Sequence, residues 1–220
     1  MSQDQPIPDD LPEWRDPRKP PPVVAFDFDG TMTVKDSFMA FLRWRVGPIR
    51  WQLGLLRLLP ATVAYLVHRD RGRIKAAAVA EFLKGLPRTE LEAEAKRFAE
   101  AISRRLLRPD AVAAWKRWRT HEPPVRLVIV TASPDLIVGP FARGLGADEL
   151  IGTRLAFDAQ DRVAGTFLTP NCRGPEKVTR LKAELGDDVE LKAAYGDTGG
   201  DREMLAMAEI QGYRVFQGVP

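Results

Sequence analysis

The most informative stretch of this chain is Val23-Val24-Ala25-Phe26-Asp27-Phe28-Asp29-Gly30-Thr31. Its first four residues are apolar and follow several prolines, a pattern that predicts a short buried strand. Gly30 tolerates backbone angles that other residues avoid, so the chain can turn away sharply after the strand. Asp27 and Asp29 then lie at the end of the strand, where both carboxylates can reach one ligand. A purely structural turn is the alternative interpretation.

Beyond residue 107 the chain alternates between predicted strands and predicted helices. Strands are predicted over 125–130 and 191–195, and helices over 134–145 and 175–185. The other predicted elements are helices over 109–122 and 202–208, a pair of strands over 151–157 and 162–168, and a last strand over 213–216. This alternation predicts an α/β fold with a Rossmann-like, mostly parallel sheet that carries helices on both faces.

Residues 37–106 interrupt the alternation directly after the first strand. They are predicted to be almost entirely helical, with a break near Gly47-Pro48. We therefore predict a helical cap over 37–106, inserted into a catalytic core formed by 23–36 and 107–217. Residues 1–22 are acidic and rich in proline, which predicts a disordered leader.

The composition excludes several kinds of site. One cysteine, Cys172, cannot form an internal disulfide or a thiolate metal cluster, and two histidines are too few for a histidine metal site. No secretory signal is apparent, and a single cysteine fits a reducing cytosol, so we expect a cytoplasmic protein. No nucleic-acid motif accompanies the tryptophans, and no obligate protein partner is evident.

The positive charge of the chain is concentrated in one segment. The net charge is +3, yet residues 41–80 hold eight Lys or Arg and a single acid, Asp70. The most apolar stretch, 51–67, lies in this segment but contains an arginine, a glutamine and a proline. It is a poor transmembrane helix and a plausible interfacial one. The segment either contacts an anionic membrane peripherally, at the inner face, or is a solvated helix surface whose apolar run packs on the core.

A second acidic motif, Gly196-Asp197-Thr198-Gly199-Gly200-Asp201, follows the strand predicted over 191–195. Ligands of such sheets bind at the carboxyl ends of the strands, so Asp197 and Asp201 are expected near Asp27. Three like charges this close are costly unless a cation neutralises them. Carboxylate oxygens suit Mg²⁺, which is therefore the predicted cofactor. A glycine-rich loop with an aspartate cap is the alternative.

Two further residues gain meaning beside these acids. Thr131 follows the strand over 125–130, where its hydroxyl and the backbone amides of the next helix can bind phosphoryl oxygens. Lys177 lies early in the helix over 175–185. Taken alone, Thr131 is an ordinary helix cap and Lys177 an ordinary surface lysine.

These four motifs, taken in their order along the chain, resemble those of the haloacid dehalogenase superfamily, and the match spans about residues 23–216. The resemblance implies that Asp27 is the nucleophile and a magnesium ligand. It implies that Asp29 binds the metal through its backbone carbonyl, while its side chain protonates the leaving oxygen and then activates water. An acid at this position is typical of phosphatases, since dehalogenases lack it and transport ATPases carry threonine there.

The remaining site residues follow from the same resemblance. Phosphoryl oxygens are expected to contact Thr131, Ala132 and Lys177. Asp197 is expected to bind magnesium, and Asp201 to orient Lys177 or a metal-bound water. The implied activity is that of a phosphomonoesterase that forms an aspartyl phosphate.

The position of the cap resembles that of the phosphoserine-phosphatase-like branch, subfamily IB. That branch usually has glutamate at Asp36 and a Ser-Gly-Gly type sequence at Thr131-Ala132-Ser133. Asp36, the run 131–134 and the run 172–178 are more similar to bacterial phosphatidylglycerophosphatase C and its relatives, which act on a lipid phosphate. Asp36 and Arg43 are the candidate substrate contacts from the cap.

Three alternatives stay open at this point. The substrate is either a phospholipid headgroup phosphate or a small soluble phosphomonoester such as phosphoserine. The acceptor in the second step is either water or another molecule. A lipid- or phosphate-binding module without catalysis is the third alternative, although such a module has no need for Asp29.

Overall fold

Five parallel strands form the central sheet of the computed structural model, which describes residues 20–59 and 71–220. The described residues contain seven strands: β1 (Val23–Phe26), β2 (Arg126–Pro134), β3 (Glu149–Thr153), β4 (Leu155–Phe157), β5 (Val163–Phe167), β6 (Leu191–Gly196) and β7 (Ala208–Tyr213). The central sheet has the order β3-β2-β1-β6-β7, and β4 and β5 form a separate antiparallel pair. The predicted α/β fold with a mostly parallel sheet is confirmed.

Helices cover both faces of this sheet. In the described residues they are α1 (Ser37–Arg57), α2 (Arg71–Phe82), α3 (Arg88–Leu106), α4 (Pro109–Arg119), α5 (Asp135–Leu145), α6 (Pro175–Leu185) and the short α7 (Arg202–Ala206). A single helical turn, Phe28–Met32, follows β1. No helix in the described ranges is long and apolar enough to cross a membrane.

Strand β1 lies at the centre of the sheet and is fully buried. Successive side chains of a strand point to opposite faces, and here each face of β1 enters a different hydrophobic cluster. Val24 and Phe26 join the larger cluster, with α1 to α5, while Val23 and Ala25 join the smaller one, with α6 and α7. An apolar strand with no polar alternation is what burial on both faces requires.

Several predicted elements differ from the structure, among them the helix predicted over 202–208, which ends at Ala206. The last strand runs over Ala208–Tyr213, not over 213–216, because Ala208 and Gly212 are buried beside β6, whereas Phe216 packs on the rings of Phe26 and Tyr195. The strand predicted over 151–157 is two strands, since β3 joins the central sheet and β4 pairs with β5. The helix predicted over 109–122 ends at Arg119.

The segment predicted as a cap is mostly helical in the described residues, with a turn over 83–87 between α2 and α3. Helix α1 kinks at Gly47, the residue before Pro48, where the φ angle is 73°. The kink lies where the sequence predicts a break. Much of the predicted leader, residues 1–19, and the last part of the apolar stretch, residues 60–67, lie outside the described residues. The division into cap and core stays a prediction.

Phe98 of α3 is a main contact between the cap segment and the core. Its ring lies 5.4 Å from that of Phe41 in α1 and 5.8 Å from that of Phe141 in α5, and the side chain is fully buried. We expect Phe98→Ala to lower the free energy of unfolding by about 3–5 kcal/mol, because it leaves a cavity between three helices. Urea unfolding measures this change. Leu168→Ala, at an exposed position, is the control, and equal stability of the two variants would contradict the assignment.

Candidate active site

Asp27 is the first residue after β1, and its backbone N–H donates to the carbonyl of Tyr195 in β6 at 2.9 Å. This bond continues the ladder between the two strands and fixes the position of the carboxylate at the edge of the sheet. Thr31, in the helical turn that follows, donates its hydroxyl to Asp27 Oδ2 at 3.1 Å. The Asp27 side chain is thus held from both sides and is buried.

Gly30 allows the two acidic loops to approach each other. Its φ is 88°, and a Cβ at this position would lie 2.3 Å from Asp197 Oδ2. Any larger residue would be strained and would push Asp197 away. The glycine predicted to permit a turn therefore also makes room for the second motif.

Lys177 lies at the centre of the site and is almost completely buried. Its Nζ donates to Asp27 Oδ1 at 2.6 Å and to the carbonyl of Val130 at 2.7 Å, and it lies 2.8 Å from Asp201 Oδ1. An ammonium group has three N–H donors, so these contacts use all of them. The lysine is a buried cation between two carboxylates, and the interpretation as surface lysine is wrong.

The pKa values of the site reflect this charge arrangement. Burial raises the pKa of Asp27 to about 7, against the lowering effect of Lys177, and the charge of Asp201 adds to the rise. Burial alone would also raise the pKa of Asp201, but Lys177 and the N–H of Thr198 hold it below its usual value. The pKa of Lys177 would fall on burial, and its two carboxylate partners raise it instead.

Three carboxylates could hold a metal ion. Oxygens of Asp27, Asp197 and Asp201 all lie within 4.8 Å of one another. Burial and the charge of Asp201 raise the pKa of Asp197. Lys177 supplies one positive charge to three acids, so ionisation of all three leaves an excess of negative charge that a divalent cation would neutralise. Hard oxygen donors are those that Mg²⁺ prefers, and the residues present fit this ion.

Asp29 is anchored by two hydrogen bonds. Its Oδ1 accepts the backbone N–H of Ser37, the first residue of α1, at 2.6 Å, and its Oδ2 accepts the hydroxyl of Ser133. Ser133 in turn donates its N–H to Thr131 Oγ1 at 3.0 Å. Sequence analysis did not predict the contact between Ser133 and Asp29, since no local pattern indicates a contact with an acid 104 positions earlier.

A cavity of about 320 Å³ lies between these residues and the cap segment. Asp27, Asp29, Lys177 and Asp201 line its polar side, together with Ala132. The side formed by α1 and α2 is largely apolar, and its lining residues include Met39, Leu55, Leu58, Ile74 and Ala78. The cavity therefore joins a charged end to an apolar wall.

Of the other predicted site residues, some line the cavity and others do not. Thr131 is fully buried on β2 and bonds to Ser133, while its neighbour Ala132 lines the cavity. Asp36 also lines the cavity and caps α1 by accepting the N–H of Met39 at 2.8 Å. Arg43 is exposed and borders a neighbouring cavity outside the one that contains Asp27.

Two cations of the cavity were missed by sequence analysis. Lys75 of α2 donates to the carbonyl of Ala132 at 3.3 Å and lies 3.8 Å from Asp36 Oδ2, so it bridges the cap segment and the core. Arg173 donates to Thr198 Oγ1 at 3.2 Å and lies against Gly200, where a Cβ would be 2.5 Å from Cζ. Lys75 lies in a basic stretch typical of a solvated surface, and no local pattern distinguishes Arg173 from a surface arginine.

Residues 24–206 match the haloacid dehalogenase-like hydrolase family. The matched region contains most of the central sheet and the acidic residues described above. The chain belongs to this family. Within it, the chain is similar to Protein CicA of Caulobacter vibrioides strain NA1000, with 60% identity over 200 residues, which cover 91% of this chain and 89% of CicA.

Solved structures share the fold at lower identity. A protein of unknown function from Bordetella pertussis Tohama I has a TM-score of 0.69 at 20% identity, covering 86% of this chain and 87% of its own. A phospho-aspartyl intermediate analogue of phosphoserine phosphatase has a TM-score of 0.57, also at 20% identity, covering 88% and 86%. At this identity the likeness supports the fold.

The charge arrangement predicts opposite effects of two substitutions on stability. The folded pKa of Asp27, about 7, lies above the ordinary 3.8, so the native state loses stability as the pH rises between these values. In EDTA at about pH 8, we expect Asp27→Asn to raise the free energy of unfolding by about 1 kcal/mol or more. Lys177→Met should lower it by about 3–5 kcal/mol, because it leaves two buried carboxylates without their cation.

Urea unfolding in EDTA compares these variants with the wild type. Asp187→Asn, at an exposed position, is the control and should stay within about 0.5 kcal/mol. If Asp27→Asn destabilised the protein as much as Lys177→Met, the balance of charges assigned to this site would be wrong.

Proposed function

We propose that this protein is a magnesium-dependent phosphomonoesterase that forms an aspartyl phosphate on Asp27. The observation that carries the proposal is the buried contact of Lys177 with Asp27 and Asp201, beside Asp197 and facing a cavity that Asp29 also lines. A module that only binds phosphate would not need a carboxylate with a raised pKa next to a second, separately anchored acid.

In the first step, a carboxylate oxygen of Asp27 attacks the substrate phosphorus, and the bond from phosphorus to the leaving oxygen breaks. Asp29 gives its proton to that oxygen. Lys177 keeps Asp27 oriented and offsets negative charge near the phosphoryl group. Bound magnesium, held by Asp27, Asp197 and the backbone carbonyl of Asp29, would supply charge neutralisation for the phosphoryl oxygens.

In the second step, Asp29 takes a proton from a water that attacks the phosphorus of the aspartyl phosphate. The acyl phosphate bond breaks, inorganic phosphate forms, and the Asp27 carboxylate is restored. The hydrogen bonds from Ser37 and Ser133 hold Asp29 in one place for both steps. Water is the proposed acceptor because the acid that released the leaving group stays in position to activate it.

The apolar wall of the cavity favours a substrate whose leaving group is partly apolar. Leu55, Leu58 and Ile74 lie opposite the charged end, where the apolar part of a phospholipid would gain contacts that a sugar would not. A phospholipid headgroup phosphate, such as that of phosphatidylglycerophosphate, is therefore the proposed substrate. Lys75 can pair with a second negative charge of such a headgroup.

A second candidate rests on Asp36 and Lys75, which both line the cavity. A carboxylate and an ammonium group 3.8 Å apart could instead bind the amino and carboxylate groups of phosphoserine. The structural neighbour described as phosphoserine phosphatase is consistent with this candidate.

We expect Asp29→Asn to slow turnover by about 10²–10⁴-fold, since a carboxamide neither donates nor takes the proton. Rapid-quench measurement of leaving-group release and phosphate release should show that both half-reactions are slower. Asp27→Asn should release neither product, and Asp187→Asn should behave as the wild type. A normal rate in Asp29→Asn, with chemistry limiting turnover, would remove Asp29 from the mechanism.

A substrate panel tests the metal and the leaving group together. We expect phosphate release from phosphatidylglycerophosphate in mixed micelles to exceed that from phosphatidic acid, phosphoserine and sugar phosphates. EDTA should abolish release, magnesium should restore it, and calcium should do so poorly because it is larger and takes more ligands. Preference for phosphoserine would select the second candidate, and full activity after chelation would rule out the proposed cofactor.

A further inference from the structure

The second half of α1 exposes an apolar face. After the kink at Gly47, the side chains of Ile49, Leu53 and Leu56 are 76%, 49% and 62% exposed. Their spacing of four and three residues places them on one side of the helix. Single exposed leucines are ordinary, but three large apolar side chains in a row form a patch that soluble surfaces usually avoid.

The opposite side of the same half-helix borders the active-site cavity. Leu55 and Leu58 line that cavity, and Gly54 packs against the ring of Phe82 in α2, where a Cβ would come within 2.2 Å. The packing of Gly54 on Phe82 therefore fixes the inner side of this half-helix against α2. The thickness of this one helix separates the exposed patch from the apolar wall over the site.

Positive charge flanks the patch. Arg50 and Arg57 both contact Glu81, at 2.5 and 3.2 Å, which leaves one positive charge in excess, and the Arg57 side chain is 64% exposed. Arg43 adds an exposed cation on the first half of α1. Arg45 contributes nothing to this face, because Glu94 holds it at 2.5 Å against the cap interior. Apolar side chains flanked by arginine are the pattern of a helix that lies in a lipid interface.

We infer that the outer face of α1, defined by Ile49, Leu53 and Leu56, docks on an anionic phospholipid surface. The apolar side chains enter the boundary between headgroups and acyl chains, and Arg43 and Arg57 meet lipid phosphates. This inference rests on the proposed function, because a phospholipid substrate gives the enzyme its reason to bind there. It adds the place on the molecule where the substrate is presented.

Sedimentation of the full chain with vesicles tests the inference. We expect the protein to pellet with phosphatidylglycerol–phosphatidylcholine vesicles at low salt, and to do so much less with phosphatidylcholine alone or at high salt. The variant Ile49→Gln/Leu53→Gln/Leu56→Gln should lose at least about tenfold in the partition coefficient. The matched control, Leu168→Gln/Ile210→Gln/Val219→Gln, changes three exposed apolar residues elsewhere and should bind as the wild type.

Hydrolysis of a small soluble phosphomonoester, measured on the same samples, separates docking from chemistry. Both triple variants should keep this activity, since none of the six positions lines the cavity. Equal or negligible pelleting with both vesicle types, or unchanged pelleting of the α1 variant, would overturn the docking face. A dimer in sedimentation equilibrium that only the α1 variant breaks would assign the face to a second copy and overturn it too. Pelleting with anionic vesicles in the absence of phosphatase activity would instead contradict the proposed function.

Discussion

The ammonium group of Lys177, buried between Asp27 and Asp201, is the contact on which the site depends. A buried charge is costly unless it is paired and fully hydrogen-bonded, and the third N–H of Lys177 meets this condition through the carbonyl of Val130. Its partners come from β1, from β2 and from the loop after β6. Three neighbouring strands, β2, β1 and β6, must therefore lie in register around one side chain, with β1 between the other two.

The sheet stabilises an arrangement of charges that is unfavourable by itself. Raised pKa values at Asp27 and Asp197 mean that the folded protein holds these carboxylates in an unfavourable environment. Burial of apolar side chains in the two hydrophobic clusters that meet at β1 offsets this unfavourable free energy. Gly30 contributes in another way, because its lack of a side chain lets the two acidic loops touch.

Sequence patterns predicted those features of the structure that depend on residues close together in the chain. The apolar strands, the acids that follow them and the break at Gly47-Pro48 all leave a periodic or compositional mark, and the α/β fold could be deduced from them. Contacts between distant segments leave no such mark, which is why the bond from Ser133 to Asp29 and the bridge from Lys75 to Ala132 were missed. The strand predicted over 213–216 failed for a related reason, since Phe216 is apolar as a packing residue and not as part of a ladder.

The kink at Gly47 divides α1 into two halves that contact different parts of the molecule. The first half begins at Ser37, whose N–H donates to Asp29, so the position of this half fixes where the Asp29 carboxylate lies. The second half carries the exposed apolar face and part of the cavity wall, and the left-handed backbone of Gly47 connects it to the first. Substitutions of the outer residues of the second half therefore leave the position of Asp29 unchanged. The surface that the second half presents to solvent and the geometry around Asp29 can thus vary independently of each other.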